Sequence, residues 1–222
     1  MNGQDPGAPV GGIVGPDDLA ALYRAPSRIA AAKKVAVIDE VTASFVDRSP
    51  FVLVGTAGAD GGVDVSPRGG PPGFVRVLDD RHVAIPDLNG NNLIDSLRAV
   101  AATNRAALLL VVPGKDETVR INGAAWVTTD PQVLDLWAGE LRRPVTAIVV
   151  RADEVFIHCA KAFRRGRVWD PASWVELDEA PDALDVLVSQ GLLPEPDAGT
   201  RAAFERGYAA DLAADSPDVG AP

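Results

Sequence analysis

Residues 51–70 read FVLVGTAGADGGVDVSPRGG, and the pattern within them decides the fold. Phe51 to Thr56 is an apolar run of strand length, rich in β-branched side chains. Ala59-Asp60-Gly61-Gly62 follows, a turn sequence whose glycines take positive φ without a Cβ clash. Val63 and Val65 then alternate with Asp64 and Ser66, the period of a strand with one apolar and one polar face. Two strands joined by so short a turn run antiparallel.

Outward from this hairpin the same texture continues. A Gly/Pro-rich loop, Arg68 to Gly73, leads to Phe74, Val75 and Val77, a turn at Asp79-Asp80, and a strand from His82 to Pro86. Leu93, Ile94, Leu97 and Val100 repeat with helical spacing. Ala106 to Val112 reads as a fully buried strand. Pro113-Gly114-Lys115-Asp116 turns the chain into a long strand, Thr118 to Thr129. Asp130-Pro131 begins a short helix through Leu134 and Trp137, and Ala147 to Ile157 is the last strand. Toward the N-terminus, Asp17 and Asp18 open one short helix and Ser27 caps a second. Asp39 caps a third, with Val41, Phe45 and Val46 on one face. About six strands in hairpin succession, with one helix crossing between them, predict a mainly β (α+β) protein. The expected architecture is a six-stranded antiparallel β-barrel with flanking helices, not a doubly wound sheet.

The expected organisation is a disordered segment over 1–15, N-terminal helices over 16–50 and a barrel domain over 51–175. C-terminal helices over 176–214, packed on the barrel or on a second subunit, precede a disordered tail over 215–222. The chain has 222 residues with a formal charge of -10. That length buries a full core without staples. The acidic balance opposes non-specific binding of nucleic acid or of an anionic membrane. It leaves room for a phosphate held by local Arg and backbone N–H groups. Cys159 is the single cysteine, so no internal disulfide forms. The first 15 residues lack the basic start and apolar centre of a signal peptide. The longest apolar run, 106–112, is far short of the ~20 residues of a membrane span. The expectation is a soluble, cytoplasmic protein.

No GxGxxG, Walker or GxSxG signature is present, and His82 and His158 have no companions at metal-ligand spacing. Cys159 beside His158 does not make a nucleophile pair, because adjacent strand residues face opposite ways. Four stretches carry more. Val65-Ser66-Pro67-Arg68-Gly69-Gly70 offers an anion a hydroxyl, a guanidinium and an approachable backbone. Asn89, Asn91 and Asn92 with Gly90 precede a helix, where free N–H groups favour negative charge; simple N-capping explains them equally well. Thr118, Arg120 and Asn122 share one strand face, which is also ordinary for a half-exposed strand. Lys161, Arg164 and Arg165, followed by Arg167 and Trp169, form a cationic helix face. It suits either an anion or flavin site, or a salt-bridged surface.

The order of these stretches, VDVSPRGGPPGFVRVLDDRHVAIPDLNGNNLIDSL, then PGKDETVRING, then FIHCAKAFRRGRVWDP, resembles the pyridoxamine 5'-phosphate oxidase-like family. It is most similar to the bacterial branch with SPRG and HCAKA motifs. The resemblance covers residues 35–174. It implies a split β-barrel homodimer with flavin mononucleotide (FMN) at the subunit interface. On that resemblance Val65, Ser66, Pro67 and Arg68 contact the flavin ring and ribityl chain, and Thr118 touches it from the next strand. Asn89, Asn91 and Asn92 stand where the true oxidases carry an Arg-Lys pair at the phosphate. Arg120, Lys161 and Arg165 are then the available positive charges, and Trp169 covers the ring from the partner chain. The implied function is an FMN-dependent oxidoreductase with an unknown small-molecule substrate, not pyridoxamine phosphate oxidation. A flavin-holding protein without turnover, or a relative using a deazaflavin or haem, is the alternative.

Overall fold

A computed structural model of the chain describes residues 15–176 and 179–217. The chain divides into two compact units, residues 1–34 and 35–222. In the first, helix α1 (Pro16–Leu22) carries a proline in its first turn. Helix α2 (Arg28–Ala32) is capped by Ser27, whose hydroxyl accepts from the Ala30 N–H at 3.2 Å. Apart from Gly15, the lead-in expected over 1–15 lies outside the described residues.

The second unit opens with α3 (Glu40–Asp47). Its N-cap, Asp39, accepts from the Thr42 N–H at 2.7 Å. That bond holds the Asp39 carboxyl below the usual carboxylate range. The buried face of α3 is narrower than the apolar spacing suggests: Val46 is buried, but Val41 is 80% exposed.

Seven strands follow: β1 (Phe51–Ala57), β2 (Val63–Gly69), β3 (Arg76–Val77), β4 (His82–Pro86), β5 (Arg105–Val111), β6 (Thr118–Thr128) and β7 (Ala147–His158). They form one antiparallel sheet in the order β2-β1-β5-β6-β7-β4-β3. The sheet ends at β2 and β3, the open seam of a split barrel. The sequence pattern gives about six strands. The seventh is β3, whose two residues are too few to show alternation. The β1–β2 turn closes with the Gly58 N–H donating to the Gly62 carbonyl at 2.7 Å, and Gly61 sits at φ +85°.

Helix α4 (Asp95–Thr103) crosses from β4 to β5. The apolar spacing places its start at Leu93; the structure starts it two residues later, and Leu93 is 60% exposed. Helix α5 (Pro131–Leu134) runs into a 3-10 turn ending at Trp137. Then come α6 (Lys161–Arg165), α7 (Ala183–Ser189) and α8 (Ala198–Ala214). Among the described residues, no helix is long and apolar enough to cross a membrane.

Register separates the sheet into two faces. Ser66, Val54, Leu108 and Ile121 lie in one cross-strand row, and Pro67, Leu53, Leu109 and Arg120 in the next. Adjacent rows point to opposite sides. The first side is the core: Val54, Leu108 and Ile121 are buried there with Phe74, Val100 and Trp137. Each such large apolar side chain contributes roughly 1.5–3 kcal/mol. Trp137 also donates its indole N–H to the Phe74 carbonyl at 2.7 Å, so its one polar atom is satisfied in the core. The β6–β7 register shifts at Asn122/Gly123. A Cβ at Gly123 would lie 1.8 Å from the Arg151 carbonyl oxygen, so this bulge accepts only glycine.

Candidate functional site

Period-two alternation makes β2 present its residues to two different regions. Asp64, Ser66 and Arg68 face inward, while Val65 faces outward with Arg120; Pro67 shares the outward row by register but, on this edge strand, also borders the inward cavity. On the inward side a cavity of about 470 Å³ opens between β2, the loop after β4 and the end of α8. Ser66, Pro67, Arg68, Asn89, Asn91 and Asn92 all line it. Two sequence stretches read separately as anion-handling are therefore brought together.

The floor of the cavity is a small polar network. Ser66 Oγ donates to Asp64 Oδ2 at 2.9 Å; Ser96 Oγ lies 3.0 Å from the same oxygen and 3.0 Å from Ser66 Oγ. Ser96 is buried at the start of α4. The network thus ties β2 to the crossing helix and fixes where the Ser66 hydroxyl sits. Arg68 donates to the Pro67 carbonyl at 2.9 Å.

The asparagines do not cap α4. Its N-cap is Ile94, at φ +43° and without a side-chain capping bond. Asn91 Oδ1 instead accepts from the Leu93 N–H at 3.1 Å, and Asn92 stands at φ +59°. A β-branched residue in the left-handed region is strained, by about 1–3 kcal/mol. The simple capping explanation of these asparagines is thereby removed. The Asn89 backbone N–H donates to Asp215 Oδ1 at 2.9 Å, and its side-chain amide donates to Asp211 Oδ1 at 3.3 Å.

Charge in this cavity runs against an anion. Among the described lining residues four carboxylates, Asp64, Asp87, Asp95 and Asp215, face one guanidinium, Arg68. Burial pushes the Asp87 carboxyl above its ordinary value; Arg68 pulls it down, and Asp215 pushes it further up.

Of the remaining expected site residues, all but Val65 lie on or near the start of β6. Thr118 is buried and pairs with His158. Arg120 donates to Glu154 Oε1 at 2.6 Å and lies 4.0 Å over the Phe156 ring. Asn122 donates to the same carboxylate oxygen at 3.1 Å. Arg120 Nε and Asn122 Oδ1 are buried with no hydrogen-bond partner. Lys161 and Arg165 are exposed on α6 beside the β5–β6 turn, where Arg164 pairs with Asp116 at 2.8 Å. Trp169 stacks on Phe163 and donates to the Lys115 carbonyl at 2.8 Å. Arg167 is taken by Asp170, so part of the cationic run is salt-bridged surface. Val65 is 64% exposed on β2, three strand spacings or roughly 14 Å from β6. Within one chain the structure does not bring Arg120, Thr118, Lys161, Arg165 or Trp169 to the asparagine loop.

Sequence reasoning missed Asp64, Asp87, Ser96, Asp211, Asp215 and Glu154. Asp64 was legible, since it shares the face of Ser66 and Arg68 at i and i+2. Asp87 and Ser96 flank the asparagines in sequence but carry no signal of facing the cavity, and Asp211, Asp215 and Glu154 come from distant segments.

A family model described as pyridoxamine 5'-phosphate oxidase matches residues 38–159, more than half of the chain. The chain belongs to the pyridoxamine 5'-phosphate oxidase family. The matched span runs from just before α3 to the end of β7, and so contains Ser66, Arg68, Asn89–Asn92, Thr118 and Arg120 but not Lys161, Arg165, Trp169 or the aspartates of α8. Among solved structures, this family member is similar to HupZ of Group A Streptococcus, at 15% identity and a TM-score of 0.46 over 54% of this chain and 93% of that one. It is also similar to an FAD binding protein from Mycobacterium smegmatis (14% identity, TM-score 0.39, 56% of this chain and 97% of that one). A conserved hypothetical protein from Mycobacterium tuberculosis shares 16% identity at a TM-score of 0.41, over 67% of this chain and 98% of that one. No match is found among curated proteins.

Proposed function

We propose that the chain binds FMN and acts as a flavin-dependent oxidoreductase on a small molecule, working as a cytoplasmic homodimer with the flavin at the subunit interface. The observation that carries this reading is the cavity shared by Ser66, Pro67, Arg68 and the Asn89–Asn92 loop. Its volume lies within the ~300–1,000 Å³ of cofactor and ligand sites. Asn89, Asn91 and Asn92 would hold the phosphate through amide and backbone donors. Ser66, Pro67 and Arg68 would lie along the ribityl chain and ring.

The outward group supports the dimeric form. Lys161 and Arg165 are exposed cations on α6 that do not line the cavity of their own chain. A second copy that lays this face beside the cavity joins the two groups. Val65, Thr118, Arg120, Lys161, Arg165 and Trp169 then complete the site across the interface. Bound there, the flavin supplies hydride acceptance and electron transfer, while the protein supplies orientation and charge.

The Asn89–Asn92 donors fit a phosphate, whereas Asp64, Asp87, Asp95 and Asp215 oppose its charge and Arg68 is the one cation among the described lining residues. Pyridoxamine phosphate turnover is not part of the proposal, because neutral asparagines stand at the phosphate loop in place of a cationic pair. The test is the absorption spectrum of the purified protein, incubated with FMN and desalted. The expected result is the two bands of an oxidised flavin, bleached under anaerobic NADH or NADPH. A deazaflavin peak, a Soret band or a colourless protein contradicts FMN, and a flavin that stays oxidised with both donors contradicts the oxidoreductase.

A further inference from the structure

We propose that α8 is a detachable strap whose carboxylates occupy the phosphate end of the cavity until a phosphorylated ligand displaces them; this rests on the assignment of Asn89–Asn92 as the phosphate loop. Asp215, the C-cap of α8, places a carboxylate oxygen 2.9 Å from the Asn89 backbone N–H, and Asp211 takes the Asn89 side-chain amide. These are donors a phosphate needs, and a carboxylate is the protein's own nearest imitation of one. The Arg142 N–H holds the Asp215 carbonyl at 2.9 Å, which sets the end of the strap over the loop.

The attachment is light. None of the 17 residues of α8 is buried, and Leu212, which lines the cavity, is 74% exposed. At its other end, Arg201 pairs with Asp182 at 2.6 Å and Asp185 at 2.8 Å at the start of α7. That end is tethered by charge to a neighbouring helix, so the Asp211–Asp215 end can lift while the helix remains on the protein. Lifting it removes Asp215 from the lining and Asp211 from the loop. Arg68 is then opposed by Asp64, whose charge two serine hydroxyls already solvate, by Asp87 and by Asp95. An arriving phosphate dianion gains both the vacated N–H donors and the departure of two like charges.

The strap therefore tunes affinity for phosphorylated ligands and leaves unphosphorylated ones alone. The test is a fluorescence titration of FMN and of riboflavin into the full chain and into the full-length D211N/D215N variant, with circular dichroism to compare their folds. The variant keeps the shape of both side chains and removes both charges. The strap predicts about tenfold tighter FMN binding in the variant and an unchanged riboflavin affinity. FMN affinity that is unchanged or weaker in the variant overturns the strap, as does an equal gain for riboflavin. If neither protein binds either flavin, the flavin reading falls and the strap with it. If FMN binds both proteins equally, the strap alone falls. Single D211N and D215N chains serve if the double variant folds poorly, each predicted to give part of the gain; no gain in either overturns the strap.

Discussion

The inward cavity and the outward cluster on β6 handle charge in opposite ways. The inward cavity holds a cation, several acids and a loop of neutral amides, and its hydrogen bonds reach across long sequence separations to α8. The outward cluster is locally settled: Arg120 lies between Glu154 and Phe156 on the adjacent strand, within one ladder. A settled ion pair fixes geometry, whereas a cavity with mismatched charge is poised for a ligand or a rearrangement. On the proposed reading, recognition of the phosphate falls to the first region, and the second offers the partner copy a fixed surface that completes the site.

The largest effect should come from the bulge that shapes the outward cluster. Gly123→Ala forces a Cβ onto the Arg151 carbonyl and is expected to cost about 3 kcal/mol or more, read as loss of soluble protein or a steep fall in Tm. Retained stability would mean the strand can slip there, and the outward cluster is less fixed than described. Next, Asn92→Asp keeps a residue that tolerates positive φ but adds a charge to the loop. FMN should bind at least about tenfold more weakly, or 1.4 kcal/mol, with riboflavin unaffected. If both weaken together, the loop is not a phosphate site.

Glu154→Gln leaves Arg120 half-buried without its counter-charge and is expected to cost about 1 kcal/mol of stability in chemical denaturation. Ser66→Ala breaks the link to Asp64 and Ser96 and should cost a similar or smaller amount, about 0.5–1 kcal/mol, while also loosening FMN. The smallest effect is at Asp87. Burial raises its carboxyl in the folded chain, so the folded state holds that proton to higher pH than the unfolded one. Its contribution is thus most favourable at low pH and is lost as pH rises through the folded value. Asp87→Asn should raise Tm slightly at neutral pH, and the difference should shrink as pH falls and vanish below the ordinary value of 3.8. A difference that grows on acidification contradicts the assigned cause.

Much of the fold was legible because it is written in local patterns. The Asp60-Gly61-Gly62 turn and the Ser27 and Asp39 caps each act within a few residues, and the structure places them as the patterns imply; β2 alternates as read, but its valines are exposed and its polar residues face the cavity. β3 escaped because two residues carry no period. The start of α4 was displaced because Ile94 adopts a left-handed backbone that helical spacing does not reveal. At the site, the likeness of Ser66, Arg68 and the asparagines was readable as chemistry, and the structure supplies their meeting. The contact of Asp215 with Asn89 was not readable at all. A disordered tail was expected from residue 215, yet Asp215 is the C-cap of α8 at the cavity, and residues 218–222 lie outside the described residues. Nothing in a single sequence pairs an acidic C-terminal helix with one backbone N–H far upstream.

The most direct test of the central claim is a crystal structure of the chain soaked or grown with FMN. The account predicts the phosphate on the Asn89–Asn92 loop, with Ser66 and Arg68 beside the ribityl chain or ring. A phosphate bound anywhere else on the chain, or crystals that take up no flavin, would contradict it.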